Sequence, residues 1–375
     1  MLLSLLCSVL ITVQPGSYLL RTATAIEHSA DDIPAMQPLA EAVAKRICAG
    51  GKLYAGGNAS LIAEISGRAG GLMLVEALGA ATPGATDAVL YFVDQEHPLP
   101  AALASASAQL VIFGEDAASS SHIGRIPTTE GLSPTHAMAI QAWLFTAELI
   151  AACTRENRMP VIYETIGLYG GTLRMQQFHD KGIFFHEKSD VPRLAVGDLS
   201  FEYVKRTAAM LRRCAKEHRA DFDRAAAWSA QAVRAGKQPT LYSMGHMFPD
   251  EVANTEIGNT FHSEPWNEGF SYLPQAPVSF TKGQAVLYLG YQHPPLAILQ
   301  AARTAGARTV YVSVVKDRDF PTGNNVVWID PMWPFADACV PIPGYDIPAL
   351  PASGVVNAAI AWEIYRLTQE AALPN

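Results

Sequence analysis

Hydrophobic and polar positions along this chain fall into alternating blocks. Short, nearly continuous apolar runs are separated by stretches with helical periodicity. The runs Asp87–Val93 and Gln109–Gly114 hold almost no polar residue, as strands covered on both faces do. Upstream, Leu39, Val43, Ala44 and Ile47 recur at helical spacing and stop at Gly50-Gly51. In order, the first half predicts a helix to about Ala49, a strand at Lys52–Ala55 and a turn at Gly56-Gly57-Asn58. A helix from Ser60, the strand at 87–93, a helix over 98–107 and the strand at 109–114 follow. Strands and helices alternating at this spacing predict a parallel, doubly wound sheet. A polar loop (115–131), a helix (Pro134–Cys153), a strand (Pro160–Thr165), an irregular crossing linker (167–197) and one long helix (Phe201–Ala235) complete the half.

The pattern then starts again. Leu53-Tyr54 is echoed by Leu241-Tyr242, Gly57 by Gly245, and Ala88-Val89-Leu90-Tyr91 by Ala285-Val286-Leu287-Tyr288. Gln95 answers Gln292, Pro98 answers Pro295, and Ala142-Trp143 answers Ala361-Trp362. Matches in a fixed order mark an internal duplication. The fold class is therefore α/β: two tandem three-layer α/β/α units with parallel sheets, the first over 26–197 and the second over 198–375.

Composition narrows the picture. The chain has 375 residues, 49% of them hydrophobic and 17% charged, with a net charge of −8. That is room for two well-cored domains. No long Lys/Arg run is present, so nucleic acid and anionic membrane surfaces are not expected partners. Residues 2–13, LLSLLCSVLITV, are apolar but too short to span a bilayer. Ala23-Thr24-Ala25 follows as a small-x-small cleavage pattern, so 1–25 reads as a secretory signal peptide and the mature protein as periplasmic or secreted, free of the membrane. The remaining cysteines, Cys48, Cys153, Cys214 and Cys339, are scattered and indicate neither a metal site nor a disulfide framework.

The second half carries a resemblance. Lys282-Gly283 followed by AVLYLGYQ, and then AARTAGARTVYVS up to Ser313, resembles the sugar isomerase (SIS) domain. So does the end, where Ile347-Pro-Ala-Leu-Pro-Ala-Ser-Gly354 enters a long apolar helix. Two copies are similar to the tandem double-SIS arrangement of aminosugar isomerases. The resemblance implies recognition of a sugar or sugar derivative, a phosphosugar among them, and an aldose–ketose isomerase as the enzyme form. The loops depart from the family's Ser/Thr-rich phosphate loop: they read YQHPP at 291–295 and DQEHP at 94–98, with no hydroxyl but Tyr291. A dianion needs several converging N–H and O–H donors, and proline removes one outright.

Ligands of parallel sheets bind at the carboxyl ends of the strands. On that edge the duplication places Gly57, Asn58, Ser60 and Gln95 from one copy, and Gly245, Gln292 and His293 from the other, as ligand-binding candidates. Isomerisation needs a base, for which Glu64 and Glu251 are the candidates, and His246 to assist ring opening. Each has a plain structural alternative as a capping or loop residue. Phe261, Trp266, Phe270 and Tyr272 are a candidate sugar-stacking set. No cofactor motif and no compact metal spacing are present. The competing function is a non-catalytic structural or dimerisation module, with pairing into a homodimer through helices.

Overall fold

The computed structural model describes residues 16–114, 123–126, 131–166, 169–264, 279–294, 296–319 and 322–373. The first unit runs α1 (Tyr18–His28), α2 (Ile33–Cys48), β1 (Leu53–Gly57), α3 (Ala59–Ile65), β2 (Val75–Ala77) and β3 (Ala88–Phe92). It continues with α4 (Ala101–Ala104), β4 (Gln109–Phe113), β5 (Ile123–Ile126), α5 (Pro134–Arg155) and α6 (Gly171–Gln177). Then come α7 (Ser200–Glu217), α8 (Arg219–Arg234), β6 (Thr240–Ser243), α9 (Phe248–Ala253), α10 (Glu256–Thr260) and β7 (His262–Glu264). The chain closes with β8 (Ala285–Leu289), α11 (Leu296–Ala305), β9 (Arg308–Val312), β10 (Val326–Ile329), β11 (Ala338–Val340), β12 (Ala349–Pro351) and α12 (Ser353–Ala372).

The strands form two parallel five-stranded sheets, in the orders β2-β1-β3-β4-β5 and β10-β9-β8-β6-β7. Reading β6 for β1, β7 for β2 and so on makes the second order the first reversed on the page, hence the same topology. The fold class is as expected, and the two sheets share one strand order. The ladders add a detail. Tyr54 pairs with Val89, whereas Tyr242 pairs with Tyr288, so the Leu-Tyr and AVLY matches are two residues out of step between copies. A slip of two keeps every side chain on its own face. Tyr54 and Tyr242 both lie on outer faces, packed under α4 and α11 respectively.

The inner faces share one core. Leu53, Leu90 and Phe92 from the first sheet join Leu241, Leu287 and Leu289 from the second in a single cluster, with α1, α2, α5, α7, α8 and α12 between them. Helix α5 is apolar enough and long enough to cross a membrane, but all of its most hydrophobic stretch is buried inside the fold. A helix apolar on every side belongs in such an interior.

Several expectations are corrected. The span 160–165 makes only isolated bridges, Leu72 to Ile162 and Pro160 to Phe185, because α6 and the 345–346 loop cover it in place of a sheet neighbour. The long helix of 201–235 is two helices. Between them the His218 imidazole accepts the Asp330 amide at Nε2 (3.1 Å) and donates from Nδ1 to Asp221 (2.9 Å), which ties the break to the sheet edge. Strand β5 lies inside the expected polar loop. A cut after Ala25 falls within α1, whose Tyr18, Leu19 and Ala23 are at most 4% exposed and packed in the shared core. Residues 1–15, and Trp266, Phe270 and Tyr272 of the stacking set, lie outside the described residues; Phe261 is buried in the core.

Candidate functional site

The seam between the units is built from matching parts. Glu64, on the short helix after β1, accepts the Trp143 indole N–H at 3.0 Å; Glu251, on the short helix after β6, accepts the Trp362 indole N–H at the same 3.0 Å. Each carboxylate also meets the first turn of the other unit's long helix. Ser133 and Thr135 of the α5 N-terminus hydrogen-bond Glu251. Gly354 of α12 lies against Glu64, so close that a Cβ there would fall 2.3 Å from Oε1. Helix N-termini favour negative charge, which is why a carboxylate is tolerated at each end of this pseudo-two-fold seam.

The two ends differ in charge. At the first, Arg68 is 1% exposed and pairs with Glu64 and, at 3.2 Å, with Asp337. Asp337 also accepts the Tyr291 hydroxyl (2.6 Å), the Ser353 hydroxyl (2.9 Å) and the Ser353 amide (2.9 Å). It sits at φ +66°, a left-handed conformation unusual for aspartate, and the bonds to Ser353 over-determine it. Glu64 further accepts the Met247 amide at 3.2 Å. Burial alone would lower the Arg68 pKa, but Glu64 and Asp337 outweigh it and hold the guanidinium charged. Burial pushes Glu64 up, against Arg68, Trp143 and the Met247 amide.

Glu251 has no ion pair among the described residues. Burial raises its pKa, with Ser133, Trp362 and Thr135 opposing. Beside it, Tyr18 of α1 stacks between His136 (5.8 Å) and Trp362 (5.5 Å). The Tyr18 hydroxyl accepts the Ser133 amide at 3.0 Å and contacts His136 Nδ1 at 3.2 Å. His136 Nε2 donates to the Val355 carbonyl, and burial drops its pKa to about 4. His136 is therefore neutral; the Arg21 guanidinium lies 5.1 Å over the Tyr18 ring, but no cation pairs with Glu251 among the described residues.

The other sequence candidates separate into two groups. Asn58 caps α3, accepting the Leu61 amide at 3.2 Å, and donates to Asp94 at 2.7 Å; Asp94 in turn holds His97. Ser60 donates across the seam to Asp250 at 3.0 Å. Gly57 has φ +90°, and a Cβ would meet the Phe92 carbonyl oxygen at 2.0 Å, so only glycine fits. Gly245 also takes a positive φ, +135°. His246 reaches the Ala63 carbonyl at 3.1 Å; burial, and then the Arg68 charge, lower its pKa to about 4. Gln292 is buried, donating to the Phe335 carbonyl at 2.8 Å. In contrast Gln95 and His293 are exposed, so the paired glutamines occupy unlike environments. The structure brings Glu64, His246, Ser60 and Glu251 to one seam, but the seam is packed with Tyr18, Trp143 and Trp362.

An open groove of about 660 Å³ lies elsewhere, at the outer edge of the second sheet. Trp328 of β10, Trp228 and Arg224 of α8, Asp221, Lys316 and Asn324 line it. Trp328 donates its indole N–H to the Ser313 carbonyl at 2.9 Å, His218 stands edge-on to it at 5.9 Å, and the Lys316 ammonium lies 5.2 Å over its ring. Among the described residues, no group of three His, Cys, Asp or Glu side chains converges to hold a metal. Sequence reading missed Arg68, Asp337 and the groove. Only Arg68 had a signal, the four-residue spacing from Glu64 that pairs charges on a helix.

No family model matches this chain, and no curated protein matches it. Solved structures with a similar arrangement include the C-terminal domain of glucosamine-fructose-6-phosphate aminotransferase from Francisella tularensis. It is 12% identical with a TM-score of 0.48, over 94% of this chain and 96% of that one. Tagatose-6-phosphate ketose/aldose isomerase from Escherichia coli is 11% identical with a TM-score of 0.45, over 94% and 93%. No residue role is carried over from either.

Proposed function

We propose that this protein binds a sugar or sugar derivative in the groove beside β10 and does not isomerise it. The observation that carries this reading is the lining of the groove. Two half-buried indoles offer flat apolar faces, and Asp221, Arg224 and Asn324 offer hydrogen-bond donors and acceptors around them. Hydroxylated rings are recognised by such a combination of aromatic face and polar rim. The isomerase alternative needs a base within reach of a substrate carbon. Glu64 and Glu251 are 0% and 2% exposed, each bonded to an indole, and neither faces the groove.

The test is a panel of neutral sugars, aminosugars and their phosphates, followed by thermal shift and by tryptophan fluorescence. A native-state ligand raises apparent stability by mass action. A panel member that shifts the midpoint, with affinity reduced about tenfold or more by Trp228→Ala, supports the reading. Proton exchange at C2 of the bound sugar in heavy water would replace it with the isomerase. If no panel member binds, the structural or dimerisation role stands instead. Ile166, Tyr169, Leu173 and Ile183, 40% to 70% exposed on one crossing segment, favour that second reading as an association surface.

A further inference from the structure

Four cysteines, Cys48, Cys153, Cys214 and Cys339, are described, and all are free thiols. Two of them meet. Cys48 is the last residue of α2 and half-buried, Cys153 is buried near the end of α5, and their thiols lie close enough to interact. Arg158 ties the two helix ends together: its amide donates to the Cys153 carbonyl at 3.0 Å and its guanidinium to the Cys48 carbonyl at 3.5 Å. That guanidinium is held in place over the Phe185 ring at 4.7 Å.

The pair is asymmetric. The hydrogen bond from Cys153 pulls the Cys48 thiol below its ordinary pKa, burial opposes, and the Arg158 charge assists. The same bond and burial push Cys153 up. Protons leave such a pair as a unit, and the outer sulfur is the one that reagents reach. Cys214 and Cys339 are buried without a thiol partner, and burial raises both, Cys339 to about 12.

We propose that Cys48 and Cys153 form an oxidisable dithiol site that reacts with small-molecule disulfides and closes a covalent bond between α2 and α5. The Cys48 thiolate attacks one sulfur of the reagent, breaks its S–S bond, releases one thiolate and forms a mixed disulfide. Cys153 then gives up its proton, attacks the Cys48 sulfur and expels the second thiolate. Two electrons pass to the reagent, which leaves as two thiols once it takes up the two protons, and one S–S bond forms in the protein. Access to the attacking sulfur, with a buried resolving partner, suits that order.

The experiment treats the full chain with defined ratios of oxidised and reduced glutathione, quenches with a maleimide under denaturing conditions, and reads intact mass and a peptide map. The expected result is joint loss of Cys48 and Cys153 alkylation, one linked peptide containing both, and a melting midpoint raised by roughly 5 °C. In Cys153→Ala, glutathione should stay on Cys48; in Cys48→Ala, neither product should form. Accumulation of glutathione on Cys48 in the unsubstituted protein without the linked peptide would overturn the proposal. So would full alkylation of Cys48 at every ratio tested. Neither readout depends on whether a sugar binds.

Discussion

Replacing Arg68 by Met tests whether the seam is held as the geometry states. The substitution keeps the apolar stem and removes the only cation between Glu64 and Asp337. Two carboxylates would be left enclosed, both of them 0% exposed. Breaking a buried ion pair by deleting one partner costs roughly 3–5 kcal/mol. The charge part of that cost has a ceiling, because the site can take a proton instead. Glu64 has an ordinary value of 4.5, so drawing a proton onto it at pH 7 costs about 3.4 kcal/mol, and at pH 5 only about 0.7 kcal/mol. Loss of the bonds to Asp337 and Ser353 adds about 1 kcal/mol each, whatever the pH.

The variant is therefore expected to lose about 5 kcal/mol at pH 7 and to recover roughly 2.5 kcal/mol of it at pH 5. Urea unfolding at both pH values, followed by tryptophan fluorescence and extrapolated linearly, reads the difference. The triple variant Glu64→Gln, Arg68→Met, Asp337→Asn removes every charge together and should lie within about 1.5 kcal/mol of the parent. It also serves as the reference if the single variant accumulates poorly. A loss below about 1 kcal/mol at pH 7, or one equal at both pH values, refutes the argument.

Two further outcomes follow from the other end of the seam. A chain beginning at Ile26 loses Tyr18, Leu19 and Ala23 from the core and the stack over Trp362; against a chain beginning at Gly16 its melting midpoint should fall by roughly 10 °C, and coincident midpoints would remove α1 from the folded unit. Glu251 has a raised pKa in the folded state, so the folded protein binds this proton more tightly than the unfolded chain. Its contribution is complete below 4.5 and is lost as pH rises through the folded value. Glu251→Gln should abolish that decline, so that stability of parent and variant diverges as pH rises above 4.5, while parallel curves would mean Glu251 is ionised with ordinary affinity.

The sheets were legible because a strand buried on both faces leaves an apolar run with nothing else to imitate it. Asp87–Val93 and Gln284–Gly290 are such runs, and both are strands. Strands β2, β5 and β7 were not legible. They are edge strands of three or four residues, and what places them is pairing to a neighbour, not their own composition. The break at His218 was hidden for a similar reason, since the residue that ends α7 is fixed by Asp330, which is far away in sequence. Glu64 and Glu251 were found as a pair, and their partners Trp143 and Trp362 were found as a repeat. What linear reading lacked was the bond between them, which turns two candidate bases into two struts.

Where the copies agree and where they diverge point to different roles. Of the residues kept in both halves, Trp143 and Trp362 meet at the seam, where two units of like topology pack with matching positions. Repetition there reports interface geometry. At the outer edge the ladders make Arg125 of β5 the counterpart of Trp328 of β10. Arg125 Nε donates to the Gly114 carbonyl at 3.2 Å, and Trp328 Nε1 donates to the Ser313 carbonyl at 2.9 Å, the matching position after the neighbouring strand. The bond that holds the edge is conserved while its donor has changed from a guanidinium to an indole. The structural task needs only the N–H, so it does not account for an indole ring in the groove lining, with the Lys316 ammonium 5.2 Å over it. A ligand that stacks would account for it, and that is the physical ground for placing recognition at this edge of the second unit and not at the seam.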